Sequence, residues 1–366
     1  MRPVRQHSTT GSSGLERAQA YLEHMARGAE DAAERFSVQA ALDTEFRSVI
    51  PRPSIRQAVR QLTGTDPGFD FSADGFTAMI GLVLAERAEA AMPRALLDTF
   101  ASLVAACRHR YRYNYFLDSP QFAPDTDCTA LSAAALYEHG RLTLPELRRT
   151  AQDLLSAAAC DAAGSEHGGS RSGSRPQSGV IMVYWEDAES APAPPRGRKH
   201  DPVACANALY TISLAQLNGS RGEWTKVLDA TCSYVATQLT SAAYLSGTRY
   251  YPDPHALLFA VSRLCDRFPA YMRSLGDLLR HRLTERPVGG VPQNPLSLAL
   301  WVIAGQTAGV PAVRLDEARD LLLRCQRPDG SWPAAPYYRM GRFAVHFGSP
   351  LLTTLFAVRA LNDPRT

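Results

Sequence analysis

The sequence predicts an all-α protein, a single α/α-barrel of about six helix pairs. Three observations lead there. Apolar residues recur at steps of three and four along most of the chain, the helical stretches are of similar length with short connections, and β-branched alternation is nearly absent. Antiparallel pairs repeated around an axis close into two rings, the inner one framing a pocket at one end.

In order, helices are expected over Glu16–Arg27, Asp31–Ser48, Ser54–Leu62, Gly75–Ala91, Arg94–Tyr111 and Thr126–His139. They continue over Leu144–Ala159, Pro202–Leu217, Glu223–Gln238, Pro254–Arg267, Tyr271–Leu283, Pro295–Thr307, Leu315–Cys325 and Pro350–Leu361. Several begin with Asp or Ser ahead of the apolar run, or with Pro in the first turn, where its missing N–H costs nothing. Val180-Ile181-Met182-Val183-Tyr184-Trp185 reads instead as a short strand or an extended wall segment. Gly164–Gly179, rich in Gly, Ser and Arg, is expected to be a mobile surface loop. Glu189–Lys199 is expected to be a stiff connection with a basic end, Arg196-Gly197-Arg198-Lys199. Similar helices follow both, so neither marks a domain boundary. Residues 1–14 close on Ser-Thr-Thr-Gly-Ser-Ser-Gly and read as a flexible tail, which leaves 15–366 as one barrel domain.

Composition narrows the partners. Hydrophobic residues make up 45% of 366, enough for a large core, and the net charge is only +3 without a concentrated basic stripe, which argues against nucleic acid. The seven cysteines are scattered with no Cys-x-x-Cys pair, so neither a zinc site nor a disulfide framework is expected. Free cysteines in apolar helices fit a reducing compartment, and with no apolar segment long enough to span a bilayer, a cytoplasmic location is expected.

The chemistry centres on Phe122-Ala123-Pro124-Asp125-Thr126-Asp127-Cys128-Thr129-Ala130-Leu131. Pro124 disfavours helix before it, and Asp125 and Thr126 are good caps for the apolar run that follows. Two readings fit the pair of carboxylates. They can simply cap the helix and complement its dipole. Alternatively, two carboxyls sharing a dry site cannot both ionise cheaply, so one keeps its proton and becomes a general acid.

Asp125-Thr126-Asp127-Cys128-Thr129-Ala130 resembles the Asp-x-Asp-Asp-Thr-Ala motif of class II terpenoid cyclases, and is closer still to the Asp-x-Asp-Thr-Thr variant of bacterial drimane-forming cyclases. The resemblance implies that Asp127 is the proton donor and Asp125 its support. Cys128 departs from the family, which has Asp or Thr there. Gln326-Arg327-Pro328-Asp329-Gly330-Ser331-Trp332 resembles the Gln-Trp motif of squalene-hopene cyclases, whose physical sense is a tight turn that locks adjacent helices. Segments around His200–Leu209, Thr248–Pro254 and Phe343–Thr354 also resemble this family, so the likeness runs from about Tyr111 to the end. It implies a lone terpenoid cyclase β-type domain, without the metal-binding Asp-Asp-x-x-Asp/Glu cluster of ionisation-dependent synthases.

By this resemblance the chain is expected to cyclise an isoprenyl diphosphate, farnesyl diphosphate first, to a bicyclic drimane-type product that keeps its diphosphate. Aromatic faces stabilise a passing carbocation; Phe116, Phe122, Tyr184, Trp185, Tyr250, Tyr251, Trp301, Tyr337, Phe343 and Phe347 are candidates, and of these Phe122, Tyr184, Trp185, Tyr250, Phe343 and Phe347 are expected at the substrate site. Cys128, Thr129 and Asn207 are expected at the substrate site, and His346 as acceptor of the final proton. Lys199, Arg249, Arg339 and Arg342 are candidates for gripping the diphosphate, with Mg2+ associated with that group rather than held by protein ligands. Three other readings stay open: a longer isoprenoid such as geranylgeranyl diphosphate, an α/α-barrel acting on carbohydrate through one Asp and a distant carboxylate, and a non-catalytic barrel that binds a ligand or partner.

Overall fold

The structure is a computed structural model that describes residues 8–28, 31–86, 88–118, 120–159, 177–187, 196–216, 223–284, 292, 294–341 and 343–362. Among these residues twelve helices build two concentric rings. The inner ring is α4 (Phe76–Ala85), α6 (Thr126–Glu138), α8 (Pro202–Leu214), α10 (His255–Arg267), α12 (Pro295–Ala308) and α14 (Pro350–Leu361). Each packs against the next, and α14 returns to α4 to close the ring. Outside them stand α1 (Ser8–Arg27), α5 (Arg94–Ala106), α7 (Leu144–Ser156), α9 (Glu223–Thr240), α11 (Arg273–Thr284) and α13 (Ala312–Arg324). The expected barrel of helix pairs is thus present.

Sequence decides which ring a helix joins. Every residue of α8 from Pro202 to Leu214 is buried, as for a helix packed on all sides. In α7 only Leu147, Thr150, Ala151, Leu154 and Leu155 are buried, one face at steps of three and four. The inner helices start on short polar side chains that cap them: Asp125 accepts from the Cys128 N–H, Asp201 from Val203, Asn294 from Leu296 and Ser349 from Leu352. Asp74 and Asp253 precede α4 and α10 and accept from Phe76 and His255.

The Gln-Trp-like turn fastens the rings together. The Trp332 indole is fully buried and its Nε1 donates to the Leu322 carbonyl of α13 at 2.7 Å, while its backbone N–H donates to Thr354 Oγ1 of α14 at 3.0 Å. Gln326 Nε2 donates to the Gly14 carbonyl at 2.8 Å, tying in α1. Gly330 has φ +89°, and a Cβ there would lie 2.2 Å from the Arg17 carbonyl oxygen, so no other residue fits.

Four expectations need correction or closer definition. The tail over 1–14 is too long, because α1 begins at Ser8 and its Gly14 carbonyl is held by Gln326; residues 1–7 lie outside the described residues. The helix over Asp31–Ser48 is only α2 (Ala32–Phe36). Beyond it, the Asp43 carboxylate collects the N–H groups of Glu45, Arg47 and Ser48, a turn that competes with helix. The chain there forms β1 (Gln39–Ala41) and β2 (Val49–Ile50), which join β6 (His346–Gly348) and β5 (Tyr338–Arg339) in a four-stranded antiparallel sheet ordered β2-β1-β6-β5. Likewise the helix over Arg94–Tyr111 stops at Ala106 and gives way to a hairpin of β3 (Arg108–His109) and β4 (Arg112–Tyr113). The 180–185 segment is the extended wall, paired at Ile181 with Ala158 and tied by further backbone hydrogen bonds to Ala157, Ala159 and Lys199. Most of the loop expected over Gly164–Gly179, and residues 189–195 of the stiff connection, lie outside the described residues. Among the described residues no helix is long and apolar enough to cross a membrane.

Candidate active site

A cavity of about 500 Å³ opens at the end of the barrel where α4, α6, α8, α10 and α14 begin. Its size is that of a small-molecule site. Its carboxyls, among the described residues, are Asp125 and Asp127 on the first turn of α6. Asp125 is the cap, its Oδ1 accepting from the Cys128 N–H at 2.7 Å. That leaves Asp127, two positions further into the helix, free of capping duty.

Two side chains hold Asp127 instead. Asn207 Nδ2, from the second turn of α8, donates to Oδ1 at 2.8 Å. The Tyr251 hydroxyl donates to Oδ2. Tyr251 is brought there by a tight turn before α10. Its N–H donates to Thr248 Oγ1 at 3.1 Å and its carbonyl accepts from the Thr248 N–H at 2.7 Å. Gly247, at φ +75°, permits the turn, since a Cβ there would lie 2.5 Å from the Pro252 carbonyl oxygen. Asp201, the cap of α8, anchors the same turn by accepting from the Tyr250 N–H at 3.1 Å.

Electrostatics separate the roles. Burial, and next the neighbouring Asp125, push the Asp127 carboxyl up to about 7, against the pull of the Tyr251 and Asn207 hydrogen bonds. Burial raises Asp125 to about 6, opposed by the Cys128 N–H. Asp127 therefore holds a proton near neutral pH, while two donors already face the carboxylate that its loss would create. Burial also drives the Tyr251 hydroxyl and Cys128 thiol well above their ordinary values, so both stay protonated.

The remaining wall is aromatic. Phe71, Phe76, Tyr115, Phe116, Phe122 and Phe347 face the cavity and pack against one another, for example Phe71 on Phe347 at 6.0 Å and Phe116 on Phe122 at 5.1 Å. Such a surface offers ring faces to a cation and no strong nucleophile. Four cations, Arg196, Lys199, Arg249 and Arg339, also contribute to the lining.

Of the residues expected at the site, the cavity is lined by Asp125, Asp127, Cys128, Phe122, Tyr184, Lys199, Arg249, Tyr250, Arg339, Phe343 and Phe347. Asn207 touches Asp127 and does not line the cavity itself. Three expectations are overturned. Thr129 faces outward, where its Oγ1 accepts from the Tyr113 N–H of β4 at 3.0 Å, because two helix steps from Asp127 turn it away. Trp185 lies on the far side of the wall segment, stacked on the Arg112 guanidinium at 4.0 Å with Nε1 donating to the Asp153 carbonyl. His346 is in β6, where alternation sends Phe347 into the cavity and His346 to the other face. Burial lowers the His346 imidazole below its usual value, so it is neutral, but it is not placed to take a proton from substrate. Arg342 lies outside the described residues.

Sequence offers Tyr251 only as one aromatic candidate among ten, not as a partner of Asp127, and does not point to Asp201. Tyr251 looked like any core aromatic, and Asp201 like any cap. The one available signal was that each sits in a family-like segment. Arg196, visible only as part of a basic run, also reaches the cavity. As to metal, no group of three or more His, Cys, Asp or Glu side chains could hold an ion among the described residues, and apart from Asp125 and Asp127 the charged groups lining the cavity are cations, so these residues do not fit a resident Mg2+.

Known proteins share this double helical ring. Searched against family models, the sequence matches none. It is similar to the drimenol cyclase drtB of Aspergillus calidoustus, 27% identical over 264 residues that cover 71% of this chain and 43% of the relative. The chain thus spans less than half the length of that relative. Among solved structures it resembles a protein from Actinoplanes (TM-score 0.61, 17% identity, 97% of this chain and 100% of that one). It also resembles the type II terpene cyclase MstE from Scytonema (TM-score 0.58, 14% identity, 96% and 97%) and the ent-copalyl diphosphate synthase from Streptomyces platensis (TM-score 0.52, 13% identity, 97% and 67%). In sequence the chain is thus similar to a drimenol cyclase, and in fold to structures that include a type II terpene cyclase and an ent-copalyl diphosphate synthase.

Proposed function

We propose that this chain is a class II terpene cyclase that protonates the terminal alkene of an isoprenyl diphosphate, farnesyl diphosphate first, and releases a bicyclic drimane-type diphosphate. The observation that carries this reading is the Asp127 carboxyl: buried, raised to about 7, held on both oxygens, and facing an aromatic cavity. An isolated alkene needs a strong acid. Asp127 answers that need not by a low pKa but by keeping its proton up to near neutral pH, away from water, with Asn207 and Tyr251 placed to stabilise the carboxylate as the proton leaves.

The π electrons of the terminal alkene take the Asp127 proton, and the cation formed at the neighbouring carbon is attacked in turn by the next alkenes, closing two rings. Phe71, Phe116, Phe122 and Phe347 face that travelling charge. Loss of a proton from the last cation gives an alkene, so no oxidant or added atom is required. The carbon–oxygen bond to diphosphate is not broken, because protonation and not ionisation starts the sequence. The name of the drimenol cyclase relative supports the drimane skeleton. The Scytonema cyclase variant, described in complex with geranylgeranyl dihydroxybenzoate, supports a longer isoprenoid as the second substrate to test. A carbohydrate hydrolase needs a second carboxylate about 5–9.5 Å away across the substrate, and the described cavity wall offers only the adjacent Asp125 and Asp127.

The test is incubation of wild type and Asp127→Asn with farnesyl and with geranylgeranyl diphosphate, then phosphatase treatment and gas chromatography–mass spectrometry. A cyclic alcohol isomeric with farnesol or geranylgeraniol, from wild type only and only after phosphatase, is expected. Recovery of the linear alcohols alone from both proteins refutes the reading.

A further inference from the structure

We propose that Arg196, Lys199 and Arg249 form a metal-independent diphosphate clamp on the cavity wall, with Arg196 as its anchor; this rests on the isoprenyl diphosphate reading above. Arg196 is the unusual member. Its guanidinium lies 4.6 Å from the ring centres of both Phe69 and Phe122, held by aromatic faces and, among the described residues, not by a carboxylate. Its Nε and Nη2 are buried without a hydrogen-bond partner among the described residues. A buried guanidinium with unsatisfied donors is costly, and an anionic oxygen acceptor is what relieves it.

The neighbours point the same way. Lys199 approaches the Tyr184 ring, 5.8 Å from its centre. All three cations line the same cavity, and Lys199 is held below its ordinary value by burial and then by Arg249 and Arg196. Like charges gathered on one half-buried wall repel, and a polyanion removes the repulsion. Within the same basic run Arg198 behaves differently: its Nε pairs with Glu186 Oε2 at 2.9 Å, so it serves the surface. Arg339 has a third role, its Nη2 donating to the Thr248 carbonyl at 2.6 Å and its Nε to the Arg249 carbonyl at 3.3 Å, which shapes the loop that presents Arg249.

This arrangement disagrees with the Mg2+ expected from the family resemblance. Arginine and lysine donors compete with a divalent ion for the same phosphate oxygens, and a Mg2+-complexed diphosphate carries less charge to the clamp. Excess Mg2+ therefore weakens binding here, where a metal-bridged site would be tightened.

The test is isothermal titration calorimetry of inorganic pyrophosphate into the full chain, in EDTA and in excess Mg2+. Wild type, Arg196→Gln, Lys199→Gln and the control Arg198→Gln are compared, each checked for an unchanged melting curve. Expected are binding in EDTA, a loss of about 10- to 100-fold in Arg196→Gln, a smaller loss in Lys199→Gln, and a change under about twofold in Arg198→Gln. Binding only with Mg2+, or equal affinity in Arg196→Gln and Arg198→Gln, overturns the clamp; if Arg196→Gln unfolds, Lys199→Gln against Arg198→Gln decides. Because the readout needs no turnover, the two proposals separate. Pyrophosphate binding without cyclisation sinks the cyclase reading and leaves the clamp, and cyclisation without metal-free binding does the reverse.

Discussion

Replacing Tyr251 by Phe removes one hydroxyl and keeps the ring that packs edge-on against Tyr337 at 5.3 Å. The hydroxyl donates to Asp127 Oδ2 in a fully enclosed setting, so its loss falls on the carboxylate form. A hydrogen bond to a charged group is worth about 1.5–3 kcal/mol. At 1.36 kcal/mol per pH unit, the Asp127 carboxyl should rise by about 1–2 from its value near 7. Two consequences run in opposite directions. The conjugate base is less stabilised during proton transfer, so kcat falls by about 10- to 100-fold at pH 6, where wild type is mostly protonated. Activity needs the protonated form, so it is present below the carboxyl's pKa and lost as pH rises through it; the alkaline limb of the variant therefore moves up by about 1–2 pH. The assay is single-turnover cyclisation from pH 5 to 9, with melting curves to confirm folding. An unchanged rate at pH 6, or an alkaline limb that moves down, refutes the argument that Tyr251 sets the acid strength of Asp127.

Other predictions follow from the same geometry. Burial raises Asp127 to about 7 from an ordinary 3.8, so the folded state binds the extra proton and loses stability as pH rises from about 4 to 7. Asp127→Asn should therefore gain roughly 2–4 kcal/mol at pH 8 relative to its difference from wild type at pH 4, and equal differences in denaturant unfolding at both pH values would contradict this. Cys128 is buried with its thiol pushed far up, whereas Cys325 is partly exposed; mass spectrometry after alkylation of native protein at pH 8 should find Cys325 modified before Cys128, and the reverse order would place Cys128 in a different environment. Trp332→Ala should cost about 3–5 kcal/mol of stability, because the fully buried indole joins α13 to α14; a melting temperature within a degree of wild type would show that the turn is not a fastening point.

The helices were legible because the barrel rewards a simple pattern. The α7 stripe of Leu147, Ala151, Leu154 and Leu155 is visible as spacing, and the inner helices as apolar runs behind Asp, Asn, Ser or Pro. The sheet was not legible, since β1 is defined by a partner some 300 residues away: Ala40 pairs with Phe347. Its alanines spell helix in isolation, and long-range pairing overrides that preference. Asp127 could be found because its neighbours occupy a recognisable motif. Tyr251 could not, because what separates it from Tyr244 or Tyr210, also buried, is a hydroxyl aimed at a residue 124 positions earlier. His346 failed for a related reason: a strand's register chooses which side chain of a pair faces the cavity, and it chose Phe347.

The central claim is that Asp127 delivers a proton from solvent exchange to a terminal alkene while the diphosphate stays attached. The most direct measurement is turnover of farnesyl diphosphate in D2O by wild type and Asp127→Asn, followed by phosphatase and mass spectrometry with NMR of the product. The account predicts a cyclic sesquiterpene alcohol from wild type carrying a single deuterium on the ring methylene carbon next to the gem-dimethyl carbon, and no cyclic product from the variant. A cyclic product without deuterium, or one formed equally well by Asp127→Asn, would contradict it.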